Sequence, residues 1–282
     1  MRPALALFAV VISLSGATTA QEPTFRARTN LVRVDVLATR ARQPVSDLTP
    51  ADFEIRDNGA TQPVEFMRFE ELPLNVVLVC DTSFSVAGQD AANVRRAVQA
   101  LIPSLRPGDR TSMITFGGRV TERLKLTEDV GRLGKVLDGV EPNGLTTVID
   151  AIYAALTLVG DEPGRSLVLV FSDGIDTASW LTTARLLETV KASPAVVYAA
   201  SVGDDATAML REVTDTSGGR HVAVESTRNL EATFSEFLGE FRKRYVLGYE
   251  PTNTTPGWHR LEIKVKRSGV DLRARPGYTA PR

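Results

Sequence analysis

Val76-Val77-Leu78-Val79-Cys80-Asp81-Thr82-Ser83-Phe84-Ser85 decides the fold. Five apolar residues run unbroken and then give way to a carboxylate and three hydroxyls. So short an apolar run suits a strand buried on both faces of a parallel sheet. The polar residues precede a helical pattern starting near Ala91. They therefore form a strand-to-helix loop at the carboxyl end of the strand, where open α/β sheets bind ligands. In an extended loop, residues 81, 83 and 85 turn three oxygen-bearing side chains the same way.

The same pattern recurs outward from this stretch. Residues 166–171 and 195–200 are further short apolar runs. Four sets at helical spacing lie among them: Val94, Ala97, Val98, Leu101 and Ile102; Val148, Ile149, Ile152, Ala155 and Leu156; Leu181, Ala184, Leu187 and Val190; Leu230, Phe234, Phe237 and Phe241. Strands alternating with helices predict an α/β fold over residues 74–242, with a mostly parallel central sheet flanked by helices.

The flanks, residues 21–73 and 243–282, read as strands. Val32, Val34 and Val36 alternate with polar residues, as do Tyr245, Leu247 and Tyr249, and Leu261, Ile263 and Val265. Residues 53–56 and 64–67 flank Asp57-Asn58-Gly59, a turn signal that predicts a hairpin or tight loop. Each flank holds too few strands for a stable sheet of its own. The simplest solution pairs the two into one small β-module, with the α/β domain inserted in it.

Residues 1–20 stand apart. Arg2, an apolar run over residues 4–14 and small residues up to Ala20 read as a secretory signal peptide cut after Ala20. The run is too short for a membrane span and has no equal elsewhere. The chain carries 33 basic and 34 acidic residues, a formal charge of −1. Loss of Arg2 would make the mature charge −2, without the basic stripe that nucleic acid requires. Cys80 is the single cysteine, which excludes an intramolecular disulfide, and its place at the end of an apolar run predicts a buried, inert thiol. With 43% hydrophobic residues the chain needs no staple to build a core. An exported location, periplasmic or extracellular, is expected.

Two further loops join the first at the strand-to-helix side of the sheet. Asn143-Gly144-Leu145-Thr146-Thr147 offers two hydroxyls, and Phe171-Ser172-Asp173-Gly174 a carboxylate. Read singly, each loop equally suits a turn or a helix cap. Together they make a set of hard oxygen ligands, which suits Mg²⁺ first and Mn²⁺ or Ca²⁺ next, rather than zinc. Two carboxylates at most balance such an ion, so an outside Asp or Glu carboxylate is attracted to an open position.

Asp81-x-Ser83-x-Ser85 after a buried strand, with Thr146 in Gly144-Leu145-Thr146 and Asp173 in Ser172-Asp173-Gly174, resembles the metal-ion-dependent adhesion site (MIDAS) of von Willebrand factor type A (VWA) domains. The resemblance covers residues 74–242. It implies a Rossmann-like fold in which the serines and the threonine contact the metal and the aspartates commonly act through water. Leu145 stands where the family often has glycine, and so does Phe84. The final helix of such domains shifts as ligand binds in some members. The segments Val45-Ser46-Asp47-Leu48-Thr49-Pro50-Ala51-Asp52-Phe53-Glu54, Tyr245-Val246-Leu247-Gly248-Tyr249 and Arg275-Pro276-Gly277-Tyr278 resemble the ends of a bacterial family of exported VWA-related proteins. That family implies no general activity.

The remaining candidates point away from catalysis. His221 and His259 lack zinc spacing, and no Gly-x-Ser-x-Gly elbow, Walker loop or Gly-x-Gly-x-x-Gly occurs. Asp150 suits the first turn of a helix, and Asp176 a loop or cap. Trp180 belongs either to the ligand face or to the core. The expected function is non-enzymatic: recognition of a protein ligand through the metal's open position. A scaffold role with incidental metal is the alternative, followed by a metal-dependent hydrolase. Oligomeric state stays open.

Overall fold

Valines alternating with polar residues give β1 (Val32–Arg40), whose Val34, Val36 and Ala38 are buried. The computed structural model describes residues 31–69, 72–160, 162–173, 175–203 and 207–281, and the expected signal peptide lies outside them. Ala41 and Arg42, both at positive φ, turn the chain into the short β2 (Gln43–Pro44). After β3 (Phe53–Asp57), Asn58 at φ 48° and Gly59 at φ 84° make a two-residue turn of the type that matches strand twist. That turn pairs Asp57 with Ala60 and so starts β4 (Ala60–Gln62) at once. The expected second hairpin strand, residues 64–67, is therefore displaced. Phe66–Phe69 forms β5, which leaves the hairpin for another sheet.

The central region begins with β6 (Leu74–Asp81), buried along its whole length. It continues through α1 (Gln89–Leu101), β7 (Arg110–Phe116), β8 (Thr121–Thr127), α2 (Val148–Leu158), β9 (Arg165–Ser172), α3 (Thr183–Ala192), β10 (Val196–Val202), α4 (Thr207–Ser217), β11 (His221–Val224) and α5 (Leu230–Arg242). The sheet order is β11-β10-β9-β6-β7-β8, parallel except for β8. Even-numbered residues of β6 join α1 and α5 in one core; Val77 and Val79 join α2, α3 and α4 in the other. Each such side chain contributes about 1.5–3 kcal/mol by leaving water. Leu230, Phe234, Phe237 and Phe241 are all fully buried, as their spacing requires. On α3 the buried positions are Leu186 and Val190, with Leu187 only partly covered.

The last strands are β12 (Tyr245–Tyr249), β13 (Gly257–Val265), β14 (Asp271–Arg273) and β15 (Gly277–Ala280). They pair with the first ones into two antiparallel sheets. One runs β14-β1-β12-β5 with β2 beside β1, and the other β15-β13-β3-β4. Val34, Val36, Ile55, Leu247 and Leu261 belong to the core they share. The chain leaves for the α/β region after Phe69 and returns at Tyr245, which are cross-strand partners. Entry and exit are thus adjacent.

Buried arginines join the two regions. Arg165 Nε and Nη2 donate to Asp35 of β1 at 2.8 and 2.5 Å, and Nη2 also reaches the Phe241 carbonyl. Arg244, fully buried, donates to Tyr198 and to the Gly218 carbonyl. Arg275 donates to the carbonyls of Ser193 and Val190. Such contacts satisfy charges that would otherwise be prohibitive to bury.

Inside the β-module, Asp57 accepts from Tyr249 and Tyr278 and lies 2.8 Å from His259 Nδ1. His259 Nε2 lies 2.7 Å from the Thr255 carbonyl. Both ring nitrogens face oxygens that can accept, an arrangement that suits the doubly protonated ring. Burial by itself lowers the His259 pKa, but the Thr255 carbonyl and the Asp57 carboxylate outweigh it and hold the value above the ordinary one. A raised histidine stabilises the fold below its unfolded pKa, and the contribution is lost as pH rises through the folded value. His259→Gln should therefore cost about 3–5 kcal/mol at pH 6, the range for breaking a buried pair, and markedly less at pH 9. Denaturant titrations of both proteins at the two pH values check this.

Candidate metal centre

At the carboxyl end of β6 the sheet changes direction. From β6 the chain turns to the face holding α1, and from neighbouring β9 to the face holding α3. The two loops part there and leave a crevice between them. Asp81 ends β6 with only 1% of its surface exposed. Its Oδ1 accepts the Ser83 amide at 2.8 Å, and its Oδ2 accepts the Ser172 hydroxyl at 2.9 Å. Ser83 Oγ lies 2.9 Å from Ser85 Oγ, and Ser85 Oγ donates to Asp173 Oδ1 at 2.9 Å. Four of the five expected site residues thus form one hydrogen-bonded chain across the crevice.

Thr146 lies on a neighbouring loop that is bonded to theirs. Among the described residues no hydrogen bond joins it to those four side chains. Its segment is tied to theirs by backbone: the Asn143 amide donates to the Thr82 carbonyl at 2.8 Å, and the Phe84 amide to the Gly144 carbonyl at 3.3 Å. The Thr146 carbonyl accepts the amides of Thr177 and Ala178 from the loop after β9. All three loops are therefore laced together.

Burial pushes the Asp81 carboxyl up to about 6 against the hydrogen bonds from Ser83 and Ser172, and the Asp173 charge adds to the rise. Burial likewise raises Asp173, whose bond from Ser85 works in the other direction. Burial thus holds both carboxyls above their ordinary range, and the charge of Asp173 is felt at Asp81. Among the described residues no three His, Cys, Asp or Glu side chains converge. The donors at this end are carboxylate and hydroxyl oxygens.

Several contributors carry no motif of their own. Ser172 holds Asp81 from the neighbouring strand. Gly117 and Gly118 let the β7–β8 turn approach Asn143 and Gly144. A Cβ on Gly144 would lie 2.2 Å from Gly118 Cα, and Gly144 has φ +69°. Asp176, with Ser179, accepts the first amides of α2, while Asp150 of α2 accepts the amides of Trp180 and Leu181. Asp176 is thus a cap across loops, and Asp150 fastens a neighbouring loop rather than only complementing its own helix. Thr147 donates to the Gly117 carbonyl instead of capping α2. Cys80 is buried, its thiol pushed up to about 12, which makes it inert. His221 bonds Ser201 on the edge of the sheet, away from the crevice. Trp180 is 95% exposed and belongs to the surface, not the core.

Residues 76–175 match the family model described as von Willebrand factor type A domain. Inter-alpha-trypsin inhibitor heavy chain H4 of Bos taurus is 27% identical over 116 residues, 36% of this chain and 13% of that protein. The chain thus spans a small part of that relative's length. The solved structure of a von Willebrand factor type A protein from Catenulispora acidiphila has a TM-score of 0.57 at 11% identity, covering 90% of this chain and 75% of that one. Proximal thread matrix protein 1 from the mussel byssus, solved with a zinc-occupied MIDAS motif, has a TM-score of 0.56 at 14% identity, covering 66% of this chain and 49% of that one. At such identities the two structures speak to the fold alone. Residues 76–175 thus match a VWA domain model, within an α/β region whose fold is VWA-like.

The close approach of Gly144 to Gly118 gives a controlled test of the crevice. Gly139 also has positive φ but no neighbour within 4 Å. Gly139→Ala should cost about 1–2 kcal/mol, the penalty of left-handed backbone alone. Gly144→Ala should cost distinctly more, because the Asn143–Thr147 loop must also move. Thermal melting of the two variants measures the difference.

Proposed function

We propose that this VWA domain binds a divalent cation through Asp81, Ser83, Ser85, Thr146 and Asp173, and with it recognises a carboxylate on a protein partner. One observation carries the reading: the chain of oxygens from Ser83 to Ser85 to Asp173, each step 2.9 Å. Adjacent ligands of an octahedral ion at about 2.05 Å lie about 2.9 Å apart, so these hydrogen-bond spacings are also compatible with oxygens that share one Mg²⁺. Hydroxyl and carboxylate oxygens are hard ligands, which favours Mg²⁺, with Mn²⁺ or Ca²⁺ as substitutes. The zinc in the mussel protein's motif supports a divalent cation without selecting this one.

The chain's own residues divide the work. Asp81 and Asp173 supply negative charge that at most neutralises the ion. Ser172 and the Ser83 amide fix the Asp81 carboxylate before any ion arrives. Ser83, Ser85 and Thr146 add neutral oxygens, so the bound ion would keep its attraction for an incoming Asp or Glu carboxylate and act as the bridge between the two proteins. The signal-like residues 1–20 support an exported protein, periplasmic or extracellular. Among the described residues no helix is long and apolar enough to cross a membrane.

Calorimetric titration with Mg²⁺ and Mn²⁺ tests the site. Wild type should bind, and Asp81→Ala should weaken binding at least tenfold; equal affinity in the two proteins would remove the assignment. The raised Asp81 pKa adds a pH signature. The carboxylate must surrender its proton to hold a cation. Below about pH 6 the affinity should therefore fall as pH drops, with up to one proton released per ion bound. Above that pH, Asp81 should add no proton release. Titrations at pH 5 and pH 7.5, each in two buffers of different ionisation heat, report the count.

A further inference from the structure

A cleft of about 430 Å³ opens beside the crevice, lined by Thr82, Thr115, Arg119, Thr121, Arg123 and Asn143. Thr82 lies between Asp81 and Ser83, and Asn143 starts the loop that carries Thr146, so the cleft shares a wall with the proposed metal site. Arg119 and Arg123 are exposed. Arg123 Nε donates to Thr115 Oγ1 at 3.0 Å, which orients its guanidinium along the cleft wall. Neither arginine forms an ion pair among the described residues. Elsewhere in the α/β region Arg110 is paired with Glu162, and Arg95 faces Asp138. Two unpaired guanidiniums beside one polar cleft form a receptor for an anionic oxygen group.

The three site loops also expose apolar side chains. Among the described residues five large hydrophobic side chains are exposed, and four belong to the three site loops: Phe84 at 69%, Leu145 at 60%, Ile175 at 57% and Trp180 at 95%. Phe84 sits between the two serines, Leu145 beside Thr146, and Ile175 two residues after Asp173. The backbone of Trp180 is bonded to Asp150. The loops that bear them are hydrogen-bonded to one another, so this is a collar and not a scatter of single residues. Such concentration of apolar surface at one end of a domain marks a protein-binding face.

We infer that the partner presents a peptide segment with two acidic groups and large apolar side chains: one carboxylate at the metal position, the second acid on Arg119 and Arg123, and the apolar residues on the Phe84–Leu145–Ile175–Trp180 collar. The inference rests on the function proposed above and specifies its ligand. Charge complementarity selects an acidic group for the arginine cleft. A free dicarboxylate or a sulfated sugar would satisfy the arginines but would leave the collar in water, which favours a peptide.

Selection of a random dodecapeptide phage library on the Mn²⁺-loaded full chain tests this. Wild type should enrich sequences holding at least two Asp or Glu together with Leu, Phe or Trp. On Arg119→Gln/Arg123→Gln the second acid should vanish from the enriched set, and a peptide chosen on wild type should bind about tenfold more weakly, as expected for loss of a charged hydrogen bond. Phe84→Ser/Trp180→Ser should remove the apolar preference and keep the acidic one. Circular dichroism of each variant confirms that it is folded. Wild-type enrichment of single-acid sequences, an unchanged consensus on the arginine variant, or no manganese-dependent enrichment at all would overturn the inference. Calorimetry separates its failure from that of the metal site: an intact Mn²⁺ titration alongside an unchanged consensus condemns the arginine subsite alone.

Discussion

A carboxylate with 1% of its surface exposed ends the central strand of a sheet covered on both faces, and the organisation of that end of the molecule follows from it. A bare charge there is expensive. The chain answers with the Ser83 amide and the Ser172 hydroxyl, one for each oxygen of Asp81. These two bonds do not restore the ordinary carboxyl pKa, and Asp173 across the crevice works against them. A cation bound between Asp81 and Asp173, as proposed, would relieve the residual electrostatic strain. Functional sites often hold groups whose environment opposes their preferred protonation state.

Position at the reversal of strand order makes this possible. Loops leaving β6 and β9 go to opposite faces, so their first residues line a gap that no helix fills. The third loop closes the gap because Gly117 and Gly118 let its backbone come close. The β-module and the α/β region are bonded through Arg165, Arg244 and Arg275, whose acceptors include Asp35 and main-chain carbonyls. The Arg165 contact also holds the Phe241 carbonyl near the end of α5. That places the β-module's first strand in touch with the helix that backs one core.

Much of this was legible in the residue order. The apolar run 76–80, the four helical sets and the alternating flanks mark their elements because burial on two faces, one stripe or one face leaves different periods. β7 and β8 carry no such signature. Thr111, Ser112 and Thr115 break the apolar run of β7 although all three are buried, with Ser112 bonded to the Leu124 carbonyl. β8 is a charged edge strand with only Leu124 buried. α4 is equally faint in the sequence, with Leu210 and Val213 as its fully buried hydrophobics. The Asn58-Gly59 turn is legible but its return strand is not, since a two-residue loop starts that strand at Ala60. At the candidate site, the grouping of Asp81, Ser83, Ser85 and Asp173 follows residue type and loop position, whereas Thr146 is tied to them only through the backbone of its loop. The support of Ser172, the close approach at Gly144 and the cross-loop cap by Asp176 depend on contacts between distant segments. The exposure of Trp180 also lies beyond sequence periodicity, because its neighbour Leu181 turns inward while it turns out.

The central claim is that these five residues hold one divalent cation at the reversal point of the sheet. Anomalous diffraction from crystals of the protein grown with Mn²⁺ tests it most directly. The account predicts a single strong manganese peak in the crevice, within bonding distance of the Ser83 and Ser85 hydroxyls and flanked by Thr146, Asp81 and Asp173. A crevice without a peak at saturating Mn²⁺, or a peak ligated by other residues, would contradict it.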